Sequence, residues 1–254
     1  MTVVEHQRKA QFSEVEWQTR LDLAVCYRAA DLYGFTDIIW NHITVKIPGT
    51  EHFLINRLGY RFDEVTASNL VTIDLDGNTV NPGTGQSEID VNITGFVIHG
   101  AVHQAREDVQ CVMHSHSDGG MAVSALREGL VPMQIDGMMF FDRVAYHDFE
   151  GLSDAADECD RLAASLGDSD AMILRNHGLL TCGETVGAAF MRMYYLERAC
   201  NIQLRVMATG RDITLPSDAV CERTAKQLTR FSLGQFEWPA ILRQVQSQCP
   251  DYNR

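Results

Sequence analysis

Three histidines carry the chemistry that this sequence offers. In Cys111-Val112-Met113-His114-Ser115-His116, two imidazoles stand two residues apart in an apolar run. Alternate side chains of a β-strand share a face, so on a strand His114 and His116 project to the same side. Parallel imidazoles on a stiff strand make half of a transition-metal site. Taken alone, the pair also reads as one hydrogen-bonded core histidine beside a surface one, because short His motifs recur by chance. A second stretch, Ala171-Met172-Ile173-Leu174-Arg175-Asn176-His177-Gly178-Leu179-Leu180, reads as two short apolar strands broken by a tight turn at Asn-His-Gly. Gly178 is expected to take a positive φ there and to turn the His177 ring outward. Three neutral imidazoles with a fourth position open are the ligand set of a catalytic metal site, not of a closed structural one. The expectation is one divalent ion per subunit, zinc first, with manganese, cobalt or nickel as alternatives, since affinity alone does not select the metal in cells.

The elements that must position these residues are legible in outline. Ser13-Glu14-Val15-Glu16 has capping-box spacing, and Trp17, Leu21, Ala24, Val25 and Leu32 follow a helical period until Gly34. Residues 1–12 show no pattern and read as a flexible or interface-bound arm, with 13–254 a single domain. Asn41 to Ile47, Phe53 to Ile55 and Leu70 to Asp74 read as strands, with a hairpin turn at Asp76-Gly77-Asn78. After a loop at Pro82-Gly83-Thr84-Gly85, a helix is expected from Ile93 to Arg106, capped by Asp90 or Asn92. Further helices are expected from Gly119-Gly120 through Leu126, from Asp154 to Leu166, and from Val186 past Leu204 to a stop at Gly210. The tail from Asp218 reads as helical, interrupted by Pro239. Strands and helices mixed in this order suit a sheet with helices on both faces.

Composition excludes some classes of function. The net charge of -13 argues against a nucleic-acid partner, whose phosphates demand a basic face. Membrane insertion is not expected, because no apolar run approaches a span and Met1 to His6 lacks a signal peptide's hydrophobic core. Seven scattered cysteines without a Cys-x-x-Cys pair suit reduced thiols and a cytoplasmic setting.

His114-Ser115-His116 followed far downstream by Arg175-Asn176-His177-Gly178 resembles the class II aldolase/adducin family. Further matches are Tyr33-Gly34, Trp40-Asn41-His42-Ile43-Thr44, Glu51-His52-Phe53-Leu54-Ile55, Glu64-Val65-Thr66-Ala67-Ser68 and Val144-Ala145-Tyr146-His147-Asp148. Together they are most similar to the adducin-head branch and cover about residues 14 to 210. The resemblance implies an α/β/α three-layer fold with a mixed, mostly antiparallel sheet, and a homotetramer with its site near a subunit interface. Phe231, Leu233, Phe236, Trp238, Ile241 and Leu242 make the tail apolar enough to suit such assembly.

In the aldolase branch a metal polarises the substrate and a Glu shuttles a proton; the position that Glu would take is Gly95 here. The resemblance places the family's phosphate pocket on Trp40-Asn41, Leu58-Gly59 and Ile93-Thr94. Asn41, Gly59 and Thr94 retain room for something small, whereas Trp40, Leu58 and Ile93 bring bulk, so an unphosphorylated substrate is expected. Arg57, in the same loop, reads either as a bidentate clamp for a carboxylate or as a solvated surface cation. Glu88, Asp118 and Asp136 are substitute acids, with Asp136 first because it lies in the apolar run Met133 to Phe141; the competing reading is a turn or cap Asp before Gly137. His99 and His103, one helical turn apart, suit packing or support of the ligands better than a rival metal pair. His147 has no role that its neighbours define. Two functions follow: a metal-dependent lyase that cleaves or decarboxylates a small unphosphorylated hydroxy- or oxo-acid, or a non-catalytic adducin-like binding and assembly module.

Overall fold

The computed structural model describes residues 11–80, 91–151 and 156–254, with the backbone alone at 93, 94, 156 and 157. The expected arm over residues 1–10, the loop at 82–85, the Asp90 cap and the helix start at Asp154 lie outside the described residues. Helix α1, Glu14–Leu32, begins where the Ser13 hydroxyl accepts from the Glu16 amide, and Gly34 follows it at φ +75. Phe12 stacks on Trp17, and the Arg20 guanidinium lies 3.8 Å from the Phe12 ring centre.

Strands β1 (His42–Lys46), β2 (Phe53–Ile55) and β3 (Val71–Ile73) follow, then α2 (Ile93–Ala105), capped by the Asn92 side chain. Next come β4 (Cys111–Ser115), α3 (Asp118–Ser124), α4 (Ile135–Met139), β5 (Ala145–His147), α5 (Ala156–Leu166), β6 (Ala171–Leu174) and β7 (Gly178–Gly183). The long α6 (Val186–Met207), α7 (Asp218–Leu228) and α8 (Trp238–Gln248) follow, with a short 3-10 turn at Pro250–Asn253 after them. The seven strands form one sheet in the order β3-β2-β1-β4-β7-β6-β5, antiparallel at every step but β5–β6.

Both faces of the sheet are covered, which is why its strands read as apolar runs and not as alternating ones. Val112, Met172, Leu174, Leu180 and Cys182 pack with Val102 of α2 and Leu162 of α5. The opposite face, with Ile43, Val45, Cys111, Met113, Ile173 and Leu179, packs with residues of α1, α6 and α8. Strand β1 divides accordingly. Ile43 and Val45 enter the second cluster, whereas His42 and Thr44 turn toward α2. The buried Tyr27 hydroxyl of α1 donates to the Ile43 carbonyl at 2.6 Å and accepts from the Ile43 amide at 2.8 Å, which locks β1 against that helix.

Two expectations about the C-terminal segment change. Pro239 does not interrupt a helix; it stands in the first turn of α8, where its fixed φ suits the start and its missing N–H has no partner to lose. The apolar tail is partly core: Trp238 packs at a tilt against Phe190, ring centres 5.6 Å apart, and Ile241 and Val245 are buried. Phe231 and Phe236 remain 58% and 65% exposed. Among the described residues no helix is long and apolar enough to cross a membrane.

Candidate metal centre

The metal-strand histidines sit at the middle of the sheet. His114 is the fourth residue of β4, opposite His42 of β1 on one side and Leu180 of β7 on the other. His116 follows just past the strand end, and the tight turn between β6 and β7 delivers His177. The positive φ of that turn belongs to Asn176, at +55, and not to Gly178. An Asn tolerates the left-handed region well enough to make the turn. Gly178 meets a different need: a Cβ there would stand 2.5 Å from the Ser115 carbonyl oxygen, so only glycine lets β7 close on β4 at the site.

Among the described residues, His114, His116 and His177 form a group whose ligand atoms all lie within 4.8 Å of one another. The Nε2 atoms of His114 and His116 are 2.9 Å apart, and those of His116 and His177 3.0 Å. Nitrogens bound tetrahedrally at ordinary zinc distances would be about 3.3 Å apart, so a few tenths of an ångström separate this arrangement from a coordinating one.

Proton accounting strengthens the fit. His114 Nδ1 lies 2.9 Å from the Leu179 carbonyl, which can only accept, so that nitrogen carries the proton. His116 Nδ1 lies 2.9 Å from the Asp37 carboxylate and carries its proton for the same reason. With both rings neutral, the two Nε2 atoms present lone pairs to each other, an arrangement that a cation would satisfy. Burial holds His114 well below the ordinary imidazole range, and burial, then the neighbouring His116, lowers His177 to about 4. His114 and His177 are therefore neutral at physiological pH, the form in which an imidazole can ligate a metal.

Several supports were not legible as such. Asp37 orients His116 in the carboxylate–histidine manner common behind metal ligands, and no sequence pattern singles it out. The buried Asn41 spends both ends of its amide inside the protein, donating to the Phe35 carbonyl at 3.0 Å and accepting from the His116 amide at 3.1 Å. It positions a ligand from behind. The buried Glu197 of α6 accepts from the Ser117 hydroxyl and from the Gly119 and Gly120 amides, which pins the chain just after His116.

The remaining sequence-derived candidates scatter. A cleft of about 440 Å³ opens beside His116, lined by Phe35, Asp118, Tyr194, Arg198 and Arg205 among others. Asp118 is exposed on it. Asp136 is in the first turn of α4, where its carboxylate accepts from Arg198 Nε at 2.9 Å. Arg57 is half-buried and Gly59 exposed in the loop after β2, two strands from β4. Glu88 and the Thr94 side chain lie outside the described residues. His147 meets Ser165 at 3.0 Å on the edge strand β5.

Gly95 has a steric reason. A Cβ at that position would fall 2.3 Å from Cδ2 and Nε2 of His42, a fully buried ring held by His99. The volume into which a residue-95 side chain would start is filled by imidazole. Sequence reasoning passed over His42, because only the pairing of β1 with β4 reveals it beside the ligands.

Comparison with known proteins agrees with this architecture. Residues 21–204 match the family described as Class II Aldolase and Adducin N-terminal domain. The crystal structure of an aldolase II superfamily protein from Pseudomonas syringae is 42% identical, with a TM-score of 0.90 over 96% of this chain and 98% of that one. An L-fuculose 1-phosphate aldolase from Glaciozyma antarctica is 30% identical, with a TM-score of 0.83 over 96% of each chain. Alpha-adducin of Mus musculus is 43% identical over 193 residues, which are 75% of this chain and 26% of the adducin.

Proposed function

The chain belongs to the class II aldolase and adducin N-terminal domain family, and from that premise we propose that it is a divalent-metal-dependent lyase. The proposed reaction is aldol cleavage or decarboxylation of a small unphosphorylated hydroxy- or oxo-carboxylic acid. The observation that carries this reading is the convergence of the His114, His116 and His177 Nε2 atoms with two of their lone pairs already fixed inward. An ion held by these three rings, zinc being the first choice, would supply Lewis-acid stabilisation of oxyanion charge as it develops on the substrate.

The chain's own residues then divide the work. His114 and His116 are held in one tautomer by Leu179 and Asp37, so neither ring needs to reorganise on binding. In a chain of net charge -13 an anionic substrate depends on local cations, and Arg198 and Arg205 line the cleft beside His116. Arg57, with Gly59 and Thr94, is the proposed pocket for the far end of the substrate, while Asn41 acts through His116. Asp118 is the proposed acid that faces the cleft. Decarboxylation of a 3-oxo acid needs no prior proton removal: the bond to the carboxylate breaks, its electron pair is delocalised from the α-carbon into the neighbouring oxo group as an enolate, and a proton is added to that carbon afterwards. An aldol cleavage without any positioned acid–base would lose roughly 10²–10⁴-fold in rate. A cytoplasmic homotetramer is the proposed setting, and a monomer in light scattering at micromolar concentration would count against it.

The second reading is a non-catalytic binding module, favoured by the 43% identity to the alpha-adducin segment. Metal analysis of protein purified without a His tag is the first test, with about one ion per chain expected and none in His116→Ala. The holo-protein is then assayed on 3-oxo, 2-oxo, 2-hydroxy and aromatic carboxylates beside fuculose 1-phosphate. Cleavage of the sugar phosphate alone would refute the unphosphorylated substrate. Silence on the whole panel with full metal loading would transfer the assignment to the binding module.

A further inference from the structure

Behind the metal ligands, four buried groups are hydrogen-bonded in single file. His42 Nδ1 meets His99 Nε2 at 2.9 Å, His99 Nδ1 meets Thr44 Oγ1 at 2.7 Å, and Thr44 Oγ1 meets His103 Nε2 at 2.8 Å. His42 and Thr44 are alternate residues of β1, and His99 and His103 are one turn apart on α2, so the file runs along the seam where that helix lies on the sheet. At its inner end the His42 ring is 5.1 Å from the His114 ring and fills the space above Gly95. At its outer end the His103 residue is 7% exposed, but its Nδ1 is itself buried, with the Val109 carbonyl beside it and no hydrogen bond of good geometry.

All three rings are buried, and burial keeps them neutral. A neutral imidazole has one N–H and one lone pair, and a hydroxyl has one proton to give. Only two arrangements then satisfy every link and also find the Thr44 proton a partner within the file. In the first, all three rings carry their proton on Nδ1, and His42 Nε2 is a lone pair. In the second, all three carry it on Nε2, and His42 presents a donor. The two differ by one proton at each end.

We infer that His42, Thr44, His99 and His103 are a proton relay, with His42 standing where the family's Glu would begin and His103 at the end nearest the surface. When a proton arrives at His42 Nε2, the His42 Nδ1 proton passes to His99 Nε2. The His99 Nδ1 proton then passes to Thr44 Oγ1, and the Thr44 hydroxyl proton to His103 Nε2. The His103 Nδ1 proton leaves to a water molecule admitted by a small local opening at that ring, whose Nδ1 is buried in the closed structure. Each ring ends neutral, so the burial that disfavours a charged imidazole does not oppose the transfer. The reverse sequence delivers a proton to the site. The relay draws on the proposed function only for the origin of the proton, and its test uses neither substrate nor turnover.

That test is nuclear magnetic resonance of full-length protein with ¹⁵N-labelled histidine rings, as purified and zinc-loaded. His42, His99 and His103 are expected to share one protonated nitrogen type. Thr44→Val, which keeps the shape and removes the hydroxyl, is expected to slow exchange of the His42 ring proton with D₂O by about tenfold or more, because a larger opening that exposes His42 itself becomes the remaining route. A mixed set of tautomers, or an unchanged exchange rate in the variant, would overturn the relay. If Thr44→Val fails to fold by circular dichroism, His103→Phe severs the outer link while keeping a ring against Phe53, and the same exchange criterion decides.

Discussion

Removing the carboxylate behind His116 is the most direct test of how the metal centre is built. Asp37 Oδ2 accepts from His116 Nδ1 at 2.9 Å, with the carboxylate side chain 43% exposed and the imidazole 18%. Its contribution is orientation more than charge, since solvent screens a half-exposed carboxylate. Orienting partners of metal-bound histidines are typically worth 10- to 100-fold in metal affinity, or about 1.4–2.7 kcal/mol. Asp37→Ala is therefore expected to weaken zinc binding by about that factor. Asp37→Asn retains an oxygen that can accept from Nδ1, so its loss should fall at the lower end, near tenfold. The assay is competition for zinc between metal-free protein and a chromophoric chelator at fixed pH and ionic strength. Parent-like affinity in Asp37→Ala, alongside loss of binding in His116→Ala, would show that the Asp37 bond does not set the ring.

Gly95→Glu restores the residue type that the resemblance leads one to look for, and it should fail. Its Cβ would overlap a ring that cannot move, so a loss of about 3 kcal/mol or more in urea denaturation is expected, partly relieved by adding His42→Val. Gly178→Ala drives a methyl group into the Ser115 carbonyl and should cost about 1–3 kcal/mol, read as a fall in Tm together with weaker zinc binding. The metal-free protein should lose stability between pH 7.5 and 5.5. Burial holds His42 and His103 down to about 3 when folded, against 6.5 when free, so the unfolded chain takes up the protons as pH falls through 6.5. Two such groups from pH 7.5 to 5.5 amount to about 3 kcal/mol; a flat urea midpoint across that window would contradict their neutral burial.

The parts of this molecule that sequence reveals are those that depend on near neighbours. The His114–His116 pair follows from strand alternation, α1 from the Ser13 cap and its apolar period, and the β6–β7 turn from Asn-His-Gly. What it conceals depends on pairing across long separations. That His42 stands opposite His114 is a matter of β1–β4 register, and no period within either strand specifies a register. Asp136 read as a desolvated acid because its neighbours in sequence are apolar, yet Arg198, sixty-two positions on, is its partner. Strand β5 was passed over because three residues are too few to show a period, and its parallel pairing with β6 supplies what its own sequence lacks.

The separation of the ligands along the chain has a kinetic consequence. His116 and His177 are 61 positions apart and meet only after β4 has paired with β7. In the unfolded chain the nearest chelating pair is His114 and His116 alone, a weak bidentate grip. An ion at this centre thus joins late, once the central strands are zipped, and its binding energy is absent from most of the climb to the folding barrier. Such an ion would leave the refolding rate almost untouched and act on the rate of unfolding instead, making the protein long-lived rather than quick to form.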